Sequence, residues 1–323
     1  MTESVVRDKP PLGIRAVQAI GKEPDYSTLT ASDLAALQIV VNRKRSSRAM
    51  RLITGFPNRG AKIEWRHLTL PGRELPVRVY RPANTIGPLP LVLHVHGGGF
   101  VGTATQCDWI NSHVAVRLPA VVVSVEHRLL DYETPLTAAA DDVWEVLRAV
   151  SRVAEQWSVD LARTVVVGES AGALMCALTA IRAAESGLRL RGQVLVNPVV
   201  DLTAAGFDTP SMRRHERSPM LTLEQIRMFE RLAVPPGTDP RALSPLYIDA
   251  PRELAPAFVA VPTVDPVADH GRAYAARLNG AGMPAQLIEY PGAPHAFLSL
   301  PNVVPQAKAA RTDILRFLRE VLE

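Results

Sequence analysis

The sequence predicts an α/β fold in which a mainly parallel central sheet carries helices on both faces. Five short runs are almost continuously apolar, as is typical of strands covered on both faces: "PLVLHVH", "AVVVSVE", "RTVVVGE", "GQVLVN" and "PAFVAVP". Helical stretches lie between most of these runs, for example Ala138 to Gln156 and Ser170 to Glu185. Because strand and helix alternate along the chain, right-handed crossovers and a mainly parallel sheet are expected.

Two segments of different character precede this alternation. Residues 29–53 have apolar positions at helical spacing, which predicts one or two amphipathic helices; these positions are Leu34, Leu37, Ile39, Val40, Met50 and Ile53. The segments "KIEWRHLTL" and "LPVRVYRP" then alternate at period two and are separated by "PGRE". That pattern predicts an antiparallel hairpin.

The alternation lapses between Asp201 and Pro256, a stretch rich in proline and arginine with one clear helix near Leu223 to Leu232. An insertion of this length above a sheet more often covers a pocket than forms an idle loop. A chain of 323 residues is long enough for one large core that carries such an accessory piece.

Charge and composition limit the class of partner. The formal net charge is +4, and the run "NRKRSSRAMR", Asn42 to Arg51, concentrates the positive charge. No aromatic residues interleave with its arginines, so nucleic acid is not expected as a partner. A solvated helix face is favoured over a patch that attracts anionic lipid or substrate.

Neither cysteine chemistry nor membrane insertion is indicated. Cys107 and Cys176 lack the paired spacing of a zinc or redox motif, and both are expected to be buried thiols. No window approaches the roughly eighteen consecutive apolar residues of a membrane-spanning helix, and the N-terminus lacks the basic flank and apolar run of a signal peptide. We therefore expect no transmembrane segment and a soluble, cytoplasmic protein.

The segment "TVVVGESAGALM" places Ser170 between Gly168 and Gly172 where a β-branched run gives way to helix-forming residues. A nucleophile on a sharp strand-to-helix turn has strained backbone angles, and side chains two residues before or after it would collide with the neighbouring strand and helix. Glycine at both positions removes those side chains. The pattern predicts that Ser170 is a raised nucleophile.

A serine nucleophile needs a base that is oriented by a carboxylate. His295 lies in "YPGAPHAF", a loop expected between the apolar strand "QLIEY" and the C-terminal helix, and Asp265 directly follows the strand "PAFVAV". The chain order of Ser170, Asp265 and His295 is the order expected of an α/β-hydrolase triad. Asp269, one helical turn further on, and His270 are the alternative assignments.

Negative charge that develops on a carbonyl oxygen needs fixed hydrogen-bond donors. The segment "HVHGGGF", His94 to Phe100, has three consecutive glycines after a strand, so that backbone N–H groups can approach a ligand without obstruction from a Cβ atom. The N–H of Ala171, the first residue of the expected helix after the nucleophile, is a natural further donor.

With both motifs in place, the sequence resembles the bacterial hormone-sensitive-lipase family of esterases, within the α/β-hydrolase superfamily, from about Ile63 to the C-terminus. Besides "HGGGF" and "GESAG", it contains "NPVVDLT", "LSPLY", "DPVADHG" and "PHAF" in the expected order. The resemblance implies an α/β-hydrolase fold with a helical cap and a triad of Ser170, Asp265 and His295.

The resemblance also assigns supporting roles. It implies that Gly98 and Gly99 join Ala171 in the oxyanion hole and that His96 is structural, holding the glycine loop in place. It implies a cap made from the N-terminal helices and the later insertion. We accordingly expect residues 1–55 to be an N-terminal helical cap segment and residues 56–323 the catalytic domain, with the cap insertion at about 202–254.

Three features depart from the family pattern. Glu169 stands where the family usually has Asp between Gly and Ser. The usual "YRLAPE" segment appears as "HRLLDYETP", His127 to Pro135, which replaces a structural tyrosine and proline. Pro262, near the end of the strand before Asp265, removes one donor from the sheet. None of the three deletes a predicted catalytic group.

The predicted activity is that of a serine carboxylesterase, which by the family resemblance acts on small-molecule esters with short to medium acyl chains. Hydrolysis of an amide, a formamide or an acetyl ester by the same triad stays open, because the leaving group is selected in the cap pocket. A ligand-binding protein without activity is disfavoured by the presence of His295. No cofactor and no metal are implied, and a homodimer is left open.

Overall fold

The computed structural model describes residues 10–11, 13–14, 24–249, 251 and 253–323. Its strands are β1 (Ala61–Leu70), β2 (Arg73–Pro82), β3 (Leu89–Val95), β4 (Val121–Val125), β5 (Val159–Glu169), β6 (Gly192–Val196), β7 (Arg217–Ser218), β8 (Leu221–Thr222), β9 (Ala257–Val264) and β10 (Ala285–Pro294). Its α-helices are α1 (Ala31–Arg45), α2 (Arg51–Thr54), α3 (Asp108–Arg117), α4 (Leu136–Arg152), α5 (Ala171–Glu185), α6 (Pro210–Arg214), α7 (Leu223–Ala233), α8 (Ala268–Gly280) and α9 (Gln306–Leu322).

Eight strands form one sheet in the order β1-β2-β4-β3-β5-β6-β9-β10. The pairs β1–β2 and β2–β4 are antiparallel, and every other pair in this sheet is parallel. The predicted α/β class with a mainly parallel sheet is confirmed, and each of the five apolar runs overlaps one of its strands.

The sheet is buried on both faces because its strands are apolar at successive positions. In β3, Leu91 and Leu93 pack in one core cluster and Val92 in the other, as the period-two geometry of a strand requires. Helices α4, α5 and α8 contribute to the first cluster, and α3 and α9 to the second. Helices therefore cover both faces, as predicted.

The predicted hairpin is present, with a tighter turn than expected. Strands β1 and β2 pair from Ala61 with Pro82 to Leu70 with Arg73, so only Pro71 and Gly72 lie outside the ladder. Gly72 has a φ of 74°, which glycine adopts readily in a two-residue hairpin turn. The prediction that "PGRE" separates the strands was wrong in that the last two residues of this segment already belong to β2.

Helix α1 confirms a helix in the predicted N-terminal segment but not its amphipathic packing. It begins after Thr30, whose side chain accepts a hydrogen bond from the backbone N–H of Asp33, and Asp33 in turn accepts one from the backbone of Thr30. Leu34 is buried, whereas Ile39 and Val40 are 69% and 66% exposed. Of the apolar positions predicted for this helix, Leu34 and Leu37 pack in or against the core, whereas Ile39 and Val40 face solvent.

The insertion between β6 and β9 contains α7, which confirms the helix predicted near Leu223 to Leu232. Thr222 caps this helix by accepting a hydrogen bond from the backbone of Gln225. Both cysteines, Cys107 and Cys176, are buried and are not bonded to each other. Within the described part of the chain, no helix has the length and apolar character needed to cross a bilayer.

The imidazole of His94 is buried within the sheet. His94 in β3 lies beside Ser124 of β4, and its Nδ1 atom is 2.8 Å from the Ser124 hydroxyl oxygen. Burial, with a smaller contribution from the neighbouring His127, lowers the pKa of His94 from its ordinary value of 6.5 to about 3. The folded protein thus holds this imidazole neutral, whereas the unfolded chain protonates it below about pH 6.5.

The His94 imidazole lowers the free energy of unfolding as the pH is lowered. Below pH 6.5 the unfolded chain binds a proton that the folded chain excludes, so the free energy of unfolding decreases as the pH falls towards 3. Between pH 7 and pH 5 this one group contributes a loss of about 2 kcal/mol. We predict that the free energy of unfolding of His94→Asn falls by about 2 kcal/mol less between pH 7 and pH 5 than that of the unmodified protein. This difference is independent of the variant's stability at pH 7. Urea unfolding at both pH values measures this difference, and parallel pH profiles would contradict it.

Candidate active site

The carboxyl ends of four parallel strands meet at one edge of the sheet, and each predicted site residue follows one of these strands. The glycine segment follows β3, Ser170 follows β5, Asp265 follows β9 and His295 follows β10. Strands β3 and β5 are neighbours, as are β9 and β10, and β6 lies between the two pairs. Groups separated by more than a hundred residues in sequence are therefore brought to one place.

Ser170 lies on a strained turn between β5 and α5. Its backbone angles are φ 57° and ψ −120°, a combination that residues with a side chain rarely adopt. Its backbone N–H donates to the carbonyl oxygen of Val196 at 2.9 Å, which ties the turn to β6. The serine side chain is consequently raised above the sheet edge.

The two flanking glycines are required by close backbone contacts. A Cβ atom on Gly168 would lie 2.4 Å from the carbonyl oxygen of Gly172, and one on Gly172 would lie 2.2 Å from the carbonyl oxygen of Val95. Both distances are far shorter than van der Waals contact, and neither neighbour is a flexible side chain. The steric reason predicted for the glycines is the one found in the structure.

Ser170, His295 and Asp265 form a continuous chain of hydrogen bonds. The Nε2 atom of His295 lies 2.8 Å from the Ser170 hydroxyl oxygen, and its Nδ1 atom lies 2.8 Å from Oδ2 of Asp265. The other carboxylate oxygen of Asp265 accepts the backbone N–H of Val267 at 3.0 Å. His295 and Asp265 are both buried, so water is largely kept from the imidazole and the carboxylate.

The alternative assignments lie elsewhere. Asp269 accepts a hydrogen bond from the backbone of Ser211 at 2.8 Å and forms an ion pair with Arg272. His270 has its ring nitrogens 3.3 Å from the backbone nitrogen of Val200 and 3.0 Å from the carbonyl oxygen of Gly206. Both side chains thus hold loops after β6 against α8 and form no hydrogen bond with Ser170 in the described chain.

The glycine segment presents backbone donors beside Ser170. Gly98 and Gly99 have φ values of 115° and 55°, and a Cβ atom on Gly99 would lie 2.5 Å from the Phe229 ring. In the described part of the chain, the backbone N–H groups of Gly98, Gly99 and Ala171 have no hydrogen-bond acceptor. Three donors of this kind around a serine hydroxyl match what a developing oxyanion requires.

Two stacked histidines, His96 and His127, pack against the glycine segment. His96 is fully buried, its Nδ1 atom is 3.1 Å from the carbonyl oxygen of Gly97, and its ring stacks on that of His127 with 4.2 Å between centroids. Burial lowers the pKa of both imidazoles. His127 stands where the family pattern has a tyrosine. Its neutral ring stacks on His96, the histidine to which the family resemblance gives a structural role.

Glu169 and Pro262 are both accommodated. The Glu169 carboxylate is buried and accepts the Ser299 hydroxyl at 2.5 Å. Burial raises the pKa of Glu169, opposed by that hydrogen bond and by electrostatic interactions with His295 and Arg45. Pro262 lies beyond the last β6–β9 pair, which ends at Ala260, so its missing N–H leaves no gap in that ladder.

A cavity of about 320 Å³ opens onto Ser170. Its walls are mostly apolar and come from three parts of the chain: the N-terminal segment, the sheet-edge loops and the insertion that contains α7. The side chains contributed by the first and third parts are Tyr26, Leu37, Val41, Arg45, Met50, Thr54, Met220, Leu221, Gln225, Ile226 and Phe229.

Two site residues were not found from the sequence. Asn197, directly after β6, has a φ of 38° and places its amide nitrogen 3.4 Å from Nε2 of His295; its position after a central strand was the available signal. Arg45 lines the cavity and donates from Nη1 to Oε1 of Gln106 at 3.0 Å. The spacing of Arg45 four residues after Val41 and eight after Leu37 was the available signal.

The run Asn42 to Arg51 was predicted to be a solvated helix face, and this is correct for only part of it. Arg48 is exposed, as are Arg43 and Lys44. Asn42 instead accepts the backbone N–H of Gly102 at 2.7 Å, and Arg51 pairs with the buried Asp108. The run therefore also supplies polar contacts to the loop after the glycine segment.

A mainly parallel sheet with a serine raised on a strand-to-helix turn at its carboxyl edge, and with aspartate and histidine following later strands, is the arrangement of an α/β-hydrolase. Residues 92–299 match a family model described as an α/β-hydrolase fold. The chain is 34% identical to the carboxylesterase NlhH of Mycobacterium tuberculosis over 258 residues, which is 77% of this chain and 79% of that protein.

Further relatives agree. The chain is 31% identical to an ethyl acetate hydrolase of Pseudomonas putida, over 79% of this chain and 81% of that protein. The crystal structure of a thermostable esterase from Pseudomonas putida superposes with a TM-score of 0.83 at 26% identity, covering 96% and 95% of the two chains. The chain belongs to the bacterial hormone-sensitive-lipase family of the α/β-hydrolase superfamily and is a carboxylic ester hydrolase.

The crowding around Gly172 predicts a large effect of one methyl group. Because its Cβ atom would meet the backbone of β3, Gly172→Ala should lower the free energy of unfolding by about 1–3 kcal/mol and displace the Ser170 turn, with loss of esterase activity. Gly280, at the end of α8, has no atom within 4 Å of such a methyl group. Gly280→Ala is the matched control and should raise stability slightly. Equal effects in thermal unfolding would contradict the steric account.

Proposed function

We propose that Ser170, His295 and Asp265 are the catalytic triad of this ester hydrolase. The observation that supports the proposal most directly is the hydrogen-bonded chain from the Ser170 hydroxyl through both ring nitrogens of His295 to the Asp265 carboxylate, at 2.8 Å for each step. The chain ends in the cavity at Ser170 and in the buried interior at Asp265, as the substrate and the orienting carboxylate require.

The first half of the reaction acylates the serine. The Ser170 oxygen attacks the ester carbonyl carbon while Nε2 of His295 takes the hydroxyl proton, and Asp265 holds the proton on Nδ1. The carbonyl oxygen, now negative, accepts hydrogen bonds from the N–H groups of Gly98, Gly99 and Ala171. When the tetrahedral intermediate collapses, the bond to the alcohol oxygen breaks, and His295 gives that oxygen its proton.

The second half of the reaction releases the acid. Water enters where the alcohol left, His295 accepts one of its protons, and the resulting hydroxide attacks the acyl carbon bound to Ser170. The same three N–H groups bind the second oxyanion. Collapse of this intermediate returns the proton from His295 to the serine oxygen, so the enzyme is restored and one ester has been converted to an acid and an alcohol.

The cavity supports short- to medium-chain acyl esters as substrates. Its volume of about 320 Å³ and its mostly apolar walls suit a small acyl or alcohol group. The resemblance to an ethyl acetate hydrolase is in keeping with a small ester. Phe229 of α7, next to Gly99, is positioned to limit the length of the group beside the oxyanion donors.

We also propose that residues 1–55 and about 202–254 together form the cap over residues 56–323. Gln225 of α7 donates to the Tyr26 hydroxyl at 3.0 Å, and Arg231 donates to the Tyr26 carbonyl oxygen at 2.9 Å. These contacts join the two cap segments across the cavity. Residues 1–9, 12, 15–23, 250 and 252, which belong to the proposed cap, lie outside the described residues.

Ser170→Ala removes the nucleophile, so hydrolysis of p-nitrophenyl butyrate should fall by at least about a thousandfold. Because the turn and its glycines are unchanged, the thermal unfolding temperature should stay close to that of the unmodified enzyme. Ser151→Ala, a matched change on α4 away from the cavity, should keep full activity. Retained hydrolysis in Ser170→Ala would refute the assignment of the nucleophile.

Asp265 and Asp269 are four residues apart and provide a matched pair. Asp265→Asn cannot hold the Nδ1 proton of His295, and kcat for p-nitrophenyl butyrate should fall by about three to four orders of magnitude. Asp269→Asn loses contacts to Ser211 and Arg272 only, and its kcat should change by less than about tenfold, with some loss of stability. The opposite ranking of the two kcat values would transfer the orienting role to Asp269.

A further inference from the structure

Arg45 introduces an unpaired positive charge into the active-site cavity. It provides the only guanidinium or ammonium group among the described residues that line the cavity. Its one side-chain hydrogen bond within the described chain is the Nη1 contact to Gln106, and no carboxylate there pairs with it. An arginine has five N–H donors in a fixed planar arrangement, so most of its hydrogen-bonding capacity is unused.

The guanidinium is held in place by the helix that carries it and by its neighbour. Leu37, Val41 and Arg45 are spaced by four residues on α1 and all line the cavity, because residues at this spacing share one helix face. Gln106, which accepts from Arg45, donates in turn to the Gly97 carbonyl oxygen at 3.2 Å. The positive charge is thus fixed relative to the glycine segment.

Its position is next to the reacting group. A Cβ atom on Gly98 would lie 3.1 Å from Nη1 of Arg45, and the Gly98 N–H is one of the proposed oxyanion donors. A substrate whose carbonyl oxygen binds at the Gly98 N–H can therefore reach the Arg45 guanidinium with a short acyl chain. The remaining walls are mainly apolar, so a charge on that chain meets little competition from water.

The one carboxyl group in the described cavity wall, that of Glu169, forms no direct contact with Arg45 in the described chain. Glu169 accepts the Ser299 hydroxyl at 2.5 Å, and its other oxygen, Oε1, is buried without a hydrogen-bond partner in the described chain. Glu169 and Arg45 attract each other electrostatically, but no hydrogen bond or ion pair joins them in the described chain. An anion is consequently the ligand that this part of the cavity lacks.

We propose that Arg45 is a specificity-determining residue that binds a carboxylate on the substrate, so that monoesters of short dicarboxylic acids are preferred over neutral esters of the same shape. Guanidinium and carboxylate pair through two parallel hydrogen bonds in a site of this kind. The proposal rests on the triad assigned to Ser170, His295 and Asp265, because it needs the ester carbonyl to bind beside Gly98.

The test compares esters that differ only in charge. Monoethyl glutarate is the anionic ester, ethyl glutaramate is its neutral isostere, and ethyl aminovalerate is a cationic ester of similar length. The unmodified enzyme should have a kcat/KM for monoethyl glutarate about tenfold to a hundredfold above that for ethyl glutaramate, in line with hydrogen bonds to charged groups. Equal values, or a preference for the cationic ester, would overturn the proposal.

Variants separate a role in specificity from a role in structure. Arg45→Met should lower the ratio of kcat/KM for the anionic ester to that for the neutral ester to about one. Arg48→Met removes an exposed charge from the same segment and should leave the ratio unchanged. If Arg45 only supported the glycine segment, both esters would lose activity equally and the ratio would persist, which would refute the proposal.

Inhibition of the unmodified enzyme provides a test that needs no variant. Glutarate should inhibit hydrolysis of p-nitrophenyl butyrate competitively and about tenfold or more tightly than neutral glutaramide. Equal inhibition would contradict the carboxylate site even if Arg45→Met failed to fold. Failure of the triad assignment is recognised separately, because Ser170→Ala would then still hydrolyse p-nitrophenyl butyrate.

Discussion

The 2.8 Å hydrogen bond between the Ser170 hydroxyl and the His295 imidazole joins residues that are 125 positions apart in sequence. It exists only because β5 and β10 run in the same direction and end at the same edge of the sheet. Each end is held tightly: Gly168 and Gly172 bring β5, α5 and β3 into backbone contact, and the buried Asp265 fixes the imidazole. Strain at Ser170, of the order of 1–3 kcal/mol, is supported by this dense packing.

The cavity above that edge combines apolar walls with a few fixed polar groups. In such a site, charges and backbone dipoles act more strongly than in water, because little solvent is present to reorganise around them. We propose that the N–H groups of Gly98, Gly99 and Ala171 bind the reacting oxygen, while the Arg45 guanidinium lies beside Gly98 and Glu169 immediately precedes Ser170. In the proposed mechanism, the chemistry at Ser170 and the selection of the substrate are assigned to different groups of one cavity.

Much of the core could be predicted because local sequence determines it. Strands such as β3 and β5 are unbroken apolar runs because both faces of the sheet are covered. The glycines on either side of Ser170 are predictable because a side chain there would collide with the neighbouring backbone. The orientation of Arg45 could not be predicted: Ile39 and Val40 suggested an apolar face on α1, yet they are exposed, because tertiary packing selected another face. The same holds for Asn197, whose contact with His295 depends on the order of the strands and not on any local pattern.

The most direct test of the account is to locate the activated nucleophile. An alkyl fluorophosphonate reacts with a serine whose proton is taken by a neighbouring base, and peptide mapping by mass spectrometry identifies the residue that carries it. A triad of Ser170, His295 and Asp265 predicts a single adduct on Ser170 in the folded enzyme, no adduct after unfolding in urea, and much slower labelling in His295→Gln. Labelling of a different serine, or equal labelling of Ser170 in the His295→Gln variant, would contradict it.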